Sequence, residues 1–217
     1  MHMKTKVLVI DDHAIIRDGL KKILADTDDL IVAGEASNGN VALEKIAERD
    51  WGVVILDISM PGRNGLELLK LIKAERPRVP ILVFSMHHEE QYAVRAIRAG
   101  ASGYLSKDSD SELILPAIRK VAAGGVFVSA KLAELLVADV AVHTIVQPHT
   151  RLSNREYEVF IRLVRGVSLT AMAEEFALSI KTVSTHKSHI LSKMGMASQV
   201  DLVRYAIDHN LLDAGVE

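Results

Sequence analysis

Over the first half of the chain, short apolar runs alternate with segments whose apolar residues recur at helical spacing. The runs are Lys6 to Ile10, Leu30 to Gly34, Val53 to Leu56, Ile81 to Phe84 and Gly103 to Leu105. Between them, Ala14 to Ala25, Asn40 to Glu48, Leu66 to Glu75, Glu89 to Ala99 and Ser111 to Ala123 read as amphipathic helices. The runs are rich in Val, Ile and Leu and have no polar face, the pattern of strands covered on both sides. Strict alternation of strand and helix therefore predicts an α/β domain built on a doubly wound parallel sheet of five strands. The alternation stops at Gly124-Gly125. Ala130 to Val140 reads as one further helix, and Val142 to Thr150, with Pro148 and two histidines, as an irregular linker. From Arg151 onward no strand pattern remains. Val159 and Leu163, Met172 and Phe176, Val183, Ile190 and Met194, and Leu202 and Ala206 predict a smaller all-α bundle of about four helices. The chain thus divides into a doubly wound domain over 1–125, a connecting helix and linker over 126–150, and a helical domain over 151–217.

Composition narrows the function classes. Apolar residues make up 49% and charged residues 25% of the 217, as in a globular protein. No apolar run approaches the roughly 20 residues that cross a bilayer, and the start leads into a short strand, so the reading is no membrane association and a cytoplasmic location. There is no cysteine, which excludes disulfides, thiolate metal sites and cysteine nucleophiles. A net charge of −2 argues against an indiscriminate polyanion binder. Its distribution says more: Phe176 to Val200 holds no Asp or Glu, yet carries Lys181, Lys187, Lys193, His186 and His189.

In a doubly wound sheet the ligand sits at the carboxyl ends of the strands. Asp11 and Asp12 follow the first strand and Asp57 the third. Three convergent carboxylates repel one another, and a hard divalent cation relieves this, Mg²⁺ being favoured where phosphate is present. Ser85 after the fourth strand offers a hydroxyl donor, and Lys107 after the fifth an ammonium for a phosphoryl oxygen. Taken singly, Asp12 reads equally well as a helix cap and Lys107 as a solvated lysine. Their coincidence at strand ends points to phosphoryl chemistry.

In the helical domain, Ser153 and Glu156 stand at capping-box spacing, so a helix should begin near Asn154 and end at Gly166. Ser168 can cap a second helix to about Phe176, and Ser179 a third that begins Ile180-Lys181-Thr182 and ends near Met194. Two short helices joined by a tight turn, the second cationic, form a helix-turn-helix. Val183, Ile190 and Met194 would face the bundle, leaving Lys181, Ser184, Thr185, Lys187 and Ser188 outward. Short hydroxyl side chains admit close approach to base edges, and flanking lysines meet phosphates. With Thr182 these are the candidate DNA-binding residues. On charge alone a solvated helix with ordinary lysines fits as well. The last helix, about Gln199 to His209, presents Val200, Val203, Tyr205 and Ile207.

The run Val9-Ile10-Asp11-Asp12-His13, the segment Leu56-Asp57-Ile58-Ser59-Met60-Pro61-Gly62-Arg63-Asn64-Gly65, and Ser85, Tyr104 and Lys107 at their spacing resemble receiver domains of two-component signalling. Leu152-Ser153-Asn154-Arg155-Glu156-Tyr157-Glu158-Val159, Gly166-Val167-Ser168 and Ser179 through His186 to Gly195 resemble the LuxR-type helix-turn-helix. Together they are similar to the NarL/FixJ class of response regulators over nearly the whole chain. The resemblance implies a phosphorylation-regulated transcription factor rather than an enzyme, its receiver catalysing only its own phosphoryl transfer and dephosphorylation. Asp57 would accept a phosphoryl group from a sensor histidine kinase. Asp11, Asp12, Asp57 and the carbonyl of Ser59 would hold Mg²⁺. Lys107 would contact the phosphoryl oxygens, Ser85 would turn toward them, and Tyr104 would change rotamer with it. Ser59 and His87 would flank the phosphoryl group, and Met86 is bulkier than the alanine common at its place. The partners implied are the kinase, double-stranded DNA and, on phosphorylation, a second copy of the chain. Where members carry a capping-box acid, this chain has Ala171. In the class the last helix is a dimer contact; closing the core is an equal reading of its apolar residues.

Two rival functions bear on this. Haloacid-dehalogenase phosphatases also form an aspartyl phosphate, but their nucleophile follows the first strand as Asp-x-Asp, unlike Asp11-Asp12 here. A protein-recruiting bundle is the second rival, since basic and acidic residues are equal in number over 151–217. A salt-dependent affinity for duplex separates it from a DNA binder.

Overall fold

The computed structural model describes residues 4–60, 65–86, 89–141, 147–209 and 211–212. His87 and residues 142–146 of the expected linker lie outside them. The chain divides into two compact units, Met1–Asp139 and Val140–Glu217. Among the described residues no helix is long and apolar enough to cross a membrane.

In the first unit, strands β1 (Thr5–Ile10), β2 (Leu30–Ala36), β3 (Val53–Leu56), β4 (Ile81–Ser85) and β5 (Gly103–Ser106) form one sheet of order β2-β1-β3-β4-β5. All its pairings are parallel. Helices α1 (Ala14–Ala25), α2 (Gly39–Glu48), α3 (Gly65–Glu75), α4 (Glu89–Arg98) and α5 (Ile114–Ala122) link or follow the strands. Every residue of β3 is buried, so the polar face is missing in space as it is in sequence. Val7, Val9, Val53, Ile55, Leu82 and Phe84 pack with Leu20 and Leu24 of α1 and Ile118 and Val121 of α5. The alternate residues Leu8, Ile10, Val54 and Leu56 point the other way and are also buried.

Two boundaries differ from the sequence reading for local reasons. β2 runs two residues past Gly34, to Ala36, with a register break opposite Val7 and Leu8. At that break the Trp51 ring lies where a Gly34 Cβ would be, 2.5 Å from Cη2, so glycine here marks close approach instead of a strand end. The helix expected over Ser111 to Ala123 is split: a 3₁₀ turn (Ser111–Leu113), capped by the Asp110 carboxylate on Glu112 N, precedes α5. Pro116 then falls in the first turn of α5, where its missing N–H costs nothing.

Helix α6 (Ala130–Ala141) follows, with Leu132 buried, and the boundary between the units falls within it. The second unit holds α7 (Asn154–Val164), α8 (Leu169–Glu175), α9 (Ile180–Met194) and α10 (Gln199–Asp208). Serines cap all four: Ser153 and Ser198 in reciprocal capping boxes with Glu156 and Asp201, Ser168 and Ser179 by single bonds to Ala171 N and Thr182 N. Without an acid at Ala171, α8 has no reciprocal cap. One bond to Ser168 starts it, since losing half a cap costs only about 1 kcal/mol. Val183, Ile190, Met194, Leu202 and Ala206 are buried, with Tyr157 and Phe160 among the largest side chains at the centre.

Candidate functional site

The carboxyl ends of β1, β3, β4 and β5 bring the predicted acids, hydroxyl and ammonium to one rim. Asp11 and Asp57 are 2% and 1% exposed, and each is locked by its own loop: Asp11 Oδ1 accepts from His13 N, Asp57 Oδ1 from Ser59 N, both at 2.8 Å. These Asx turns orient the carboxylates before any ligand arrives. The Lys107 ammonium lies 2.6 Å from Asp11 Oδ2 and 2.6 Å from Asp57 Oδ2. Burial alone would lower the Lys107 pKa, but its bonds to Asp11 and Asp57 outweigh burial and hold it above the ordinary value. Its backbone N–H donates to the carbonyl of Ser85 at 2.9 Å, so the β5 end is fastened to the β4 end.

Ser85, with 0% exposure, has its hydroxyl 2.8 Å from that of Ser59. Tyr104 is likewise fully buried, whereas Met86 is 55% exposed. α3 begins close beneath the Asp57 loop, because a Cβ on Gly65 would stand 2.3 Å from Ile58 Cα.

Two side chains outside the predicted set join this rim. His13 Nδ1 lies 3.1 Å from Asp12 Oδ1 and 3.3 Å from Asp11 Oδ1. Arg17 donates to the Asp11 carbonyl at 2.8 Å and to Glu35 at 3.3 Å, fixing the β1–α1 loop against β2. His13 was signalled by adjacency to the acid pair. Arg17 was not, since a guanidinium on the first turns of a helix reads as a surface residue.

In the second unit, Lys181, Thr182, Ser184, Thr185 and Ser188 are exposed along α9. Thr185 and Ser188 donate back to the carbonyls of Lys181 and Ser184, at 3.0 and 3.2 Å, which fixes their rotamers while leaving oxygen lone pairs outward. Thr182 Oγ1 is 2.8 Å from the capping hydroxyl of Ser179, so it belongs to the helix start. Lys187 is half-buried instead of outward and donates to Gln199 Oε1 at 2.8 Å. Lys193 is committed too: it lies 2.6 Å from an oxygen of the buried Glu156, the capping acid of α7. A segment without acids in sequence is therefore not without them in space. Among the described residues, Lys181 and Lys187 are the α9 lysines with no carboxylate partner. On α10, Leu202 and Ala206 close the core, while Val200 and Ile207 are 67% and 59% exposed.

Residues 7–119 match the response regulator receiver domain family, and residues 150–206 match the bacterial regulatory proteins of the luxR family. The oxygen regulatory protein NreC of Staphylococcus haemolyticus is 35% identical over 215 residues, spanning 96% of this chain and 99% of its own. The chain belongs to the NarL/FixJ class of response regulators. RcsB of Salmonella typhimurium has a similar structure, with 26% identity, a TM-score of 0.68, and 96% of this chain and 98% of RcsB covered. RcsB bound to a promoter in the presence of the phosphomimetic BeF₃⁻ aligns with a TM-score of 0.65 at 26% identity over 94% of this chain and 98% of its own.

This response regulator is accordingly a phosphorylation-dependent, DNA-binding transcriptional regulator of a two-component system. Receiver domains bind Mg²⁺ at an acidic pocket, and ligand atoms of Asp11, Asp12, His13 and Asp57 here lie within 4.8 Å of one another. The donors fit such a hard ion. Three carboxylates face one ammonium, and the negative charge left over is what a divalent cation with oxygen ligands would offset.

Proposed function

We propose that Asp57 is the phosphoryl acceptor. A carboxylate oxygen of Asp57 attacks the phosphorus of a phosphohistidine on the sensor kinase; the P–O bond forms as the P–N bond breaks, and the imidazole leaves with the electron pair. Asp11, Asp12, Asp57 and the Ser59 carbonyl would hold Mg²⁺, which would supply positive charge to the transferring phosphoryl group. Lys107 follows the transferred group and neutralises a phosphoryl oxygen. Ser85 turns from Ser59 toward another oxygen, Tyr104 repacks behind it, and Ser59 flanks the group and sets its hydrolysis rate.

The phosphorylated chain pairs with a second copy and binds double-stranded DNA through α9. Lys181 and Lys187 meet phosphates, Ser184, Thr185 and Ser188 face base edges, and Thr182 holds the helix start against the backbone. Its DNA partner places this work in the cytoplasm. The domains that do so are the receiver over 1–125 and the helix-turn-helix over 151–217, joined by 126–150.

The observation that carries the reading is the Lys107 ammonium shared by Asp57 and Asp11, which sets the acceptor between a phosphoryl clamp and a cation site. The test is phosphoryl labelling from a small phosphodonor with Mg²⁺. Asp57→Asn should take no label while Asp11→Asn labels slowly, and equal labelling of Asp57→Asn would overturn the assignment.

A further inference from the structure

Gln199, the first residue of α10, spans two elements. Its Nε2 donates to the carbonyl of Leu163 in the last turn of α7 at 2.9 Å, and its Oε1 accepts from Lys187 Nζ on α9 at 2.8 Å. The amide can face only one way, because a carbonyl needs the NH₂ and an ammonium needs the oxygen. Leu163 O also takes the N–H of Gly166, at 3.1 Å, and is one of the carbonyls left over at the end of α7. Gln199 thus uses the second lone pair of a helix-end carbonyl as an anchor for a lysine.

We infer that Gln199 is a positioning residue of the DNA interface: it holds the Lys187 ammonium in place for a phosphate of the duplex. The inference rests on the proposed phosphate contact of Lys187. A lysine stem carries large rotamer freedom, and freezing it on binding weakens the complex. Here three features remove that cost beforehand. The residue is half-buried, one N–H is spent on a neutral acceptor, and the charge stays unpaired by any carboxylate among the described residues. Lys193 on the same helix shows the contrast, its ammonium spent on Glu156. A neutral tether fixes position and keeps the charge, whereas a carboxylate fixes position and cancels it.

The test uses the full chain, phosphorylated by a small phosphodonor, on a duplex selected by binding. Gln199→Met keeps the length and loses both bonds. It should weaken binding roughly two- to ten-fold, the range for one immobilised long side chain. Sequence preference and the slope of log affinity against log salt should stay as they are, because the lysine is still present. Lys187→Met should lower that slope by about one. In the Lys187→Met background, Gln199→Met should cost nothing more. Gln199→Glu keeps an acceptor for the ammonium but cancels its charge, so it should lower the slope as Lys187→Met does, and thermal melting reports folding of each variant.

An equal loss from Gln199→Met in both backgrounds would reduce Gln199 to a structural residue, and unchanged or tighter binding would likewise overturn the inference. If Lys187→Met leaves the salt slope unchanged, the phosphate contact itself is wrong and the inference falls with it. A normal slope loss with an additive pair would sink only the role of Gln199.

Discussion

The Lys107 ammonium stands 2.6 Å from Asp57 Oδ2, and both side chains are almost wholly withdrawn from water. The same ammonium reaches Asp11, so it occupies the charge balance that a divalent cation would otherwise supply. In the proposed mechanism two roles of one lysine then oppose each other: before phosphorylation it competes with the metal, and afterwards it clamps the phosphoryl group. Lys107→Met should therefore bind Mg²⁺ more tightly, by up to about tenfold for each 1.4 kcal/mol of competition removed, yet pass its state to DNA poorly. Calorimetric titration with Mg²⁺ checks the first outcome and DNA affinity after phosphorylation the second. Weaker Mg²⁺ binding would show that Lys107 orients the acids and does not compete.

The hydroxyls of Ser59 and Ser85 lie 2.8 Å apart, which ties Ser85, the proposed switch, to the loop that follows Asp57, the proposed acceptor. To reach a phosphoryl oxygen, Ser85 must leave this partner, and a partly buried hydrogen bond holds with about 1 kcal/mol at most. Ser59→Ala should raise the affinity of the unphosphorylated chain for DNA up to about fivefold, with little change after phosphorylation. Titrating both forms on one duplex reads the difference. A gain in both forms alike would place Ser59 outside the switch.

Much of the fold was legible because the alternation of apolar runs and helical faces has no competing solution for a parallel sheet. That Asp11, Asp12, Asp57 and Lys107 meet at one rim was legible for the same reason, since a strand end fixes where its next residue lies. What escaped was everything decided by partners distant in sequence. Arg17 is placed by a carbonyl and by Glu35 on the next strand. Lys187 was read as an outward cation and Lys193 only as part of the cationic segment, but Gln199 and Glu156 decide which of them keeps its charge free. Periodicity assigns a face to a side chain and cannot say what waits there.

Ala177, in the turn between α8 and α9, has φ 52°, and among the described residues it is the non-glycine with positive φ. A Cβ in this region costs about 1 kcal/mol, and Ala177 is exposed, with no burial to set against it. Ala177→Gly should raise the stability of the helix-turn-helix by about 1 kcal/mol without altering DNA preference. Chemical denaturation of both proteins measures it. A loss of stability would mean that the entropy of a glycine in the unfolded chain outweighs the strain.

Glu156 links the start of α7 to α9: its carboxylate caps Ser153 N at 2.7 Å and takes the Lys193 ammonium at 2.6 Å. Burial would push its pKa up, but the bonds from Lys193 and Ser153 prevail and hold it below the ordinary 4.5. For a carboxylate depressed on folding, the stabilisation is present above the unfolded value and is lost as pH falls through the folded one. The second unit should therefore loosen as pH drops below about 4.5, and Glu156→Gln should flatten that dependence while keeping an oxygen for the cap. Amide-exchange protection along α7 in the full chain, corrected for the intrinsic rate, follows the change. The same pairing sets the fate of Lys193, whose ammonium is spent inside the protein. Lys193→Ala should cost about 1 kcal/mol of stability, its side chain being partly exposed, and leave the salt slope of DNA binding where it was. Lys181→Ala should do the reverse, lowering the slope by about one with stability unchanged. A slope that falls for Lys193→Ala would mean that DNA draws the ammonium off Glu156, and the division of labour among the α9 lysines would have to be redrawn.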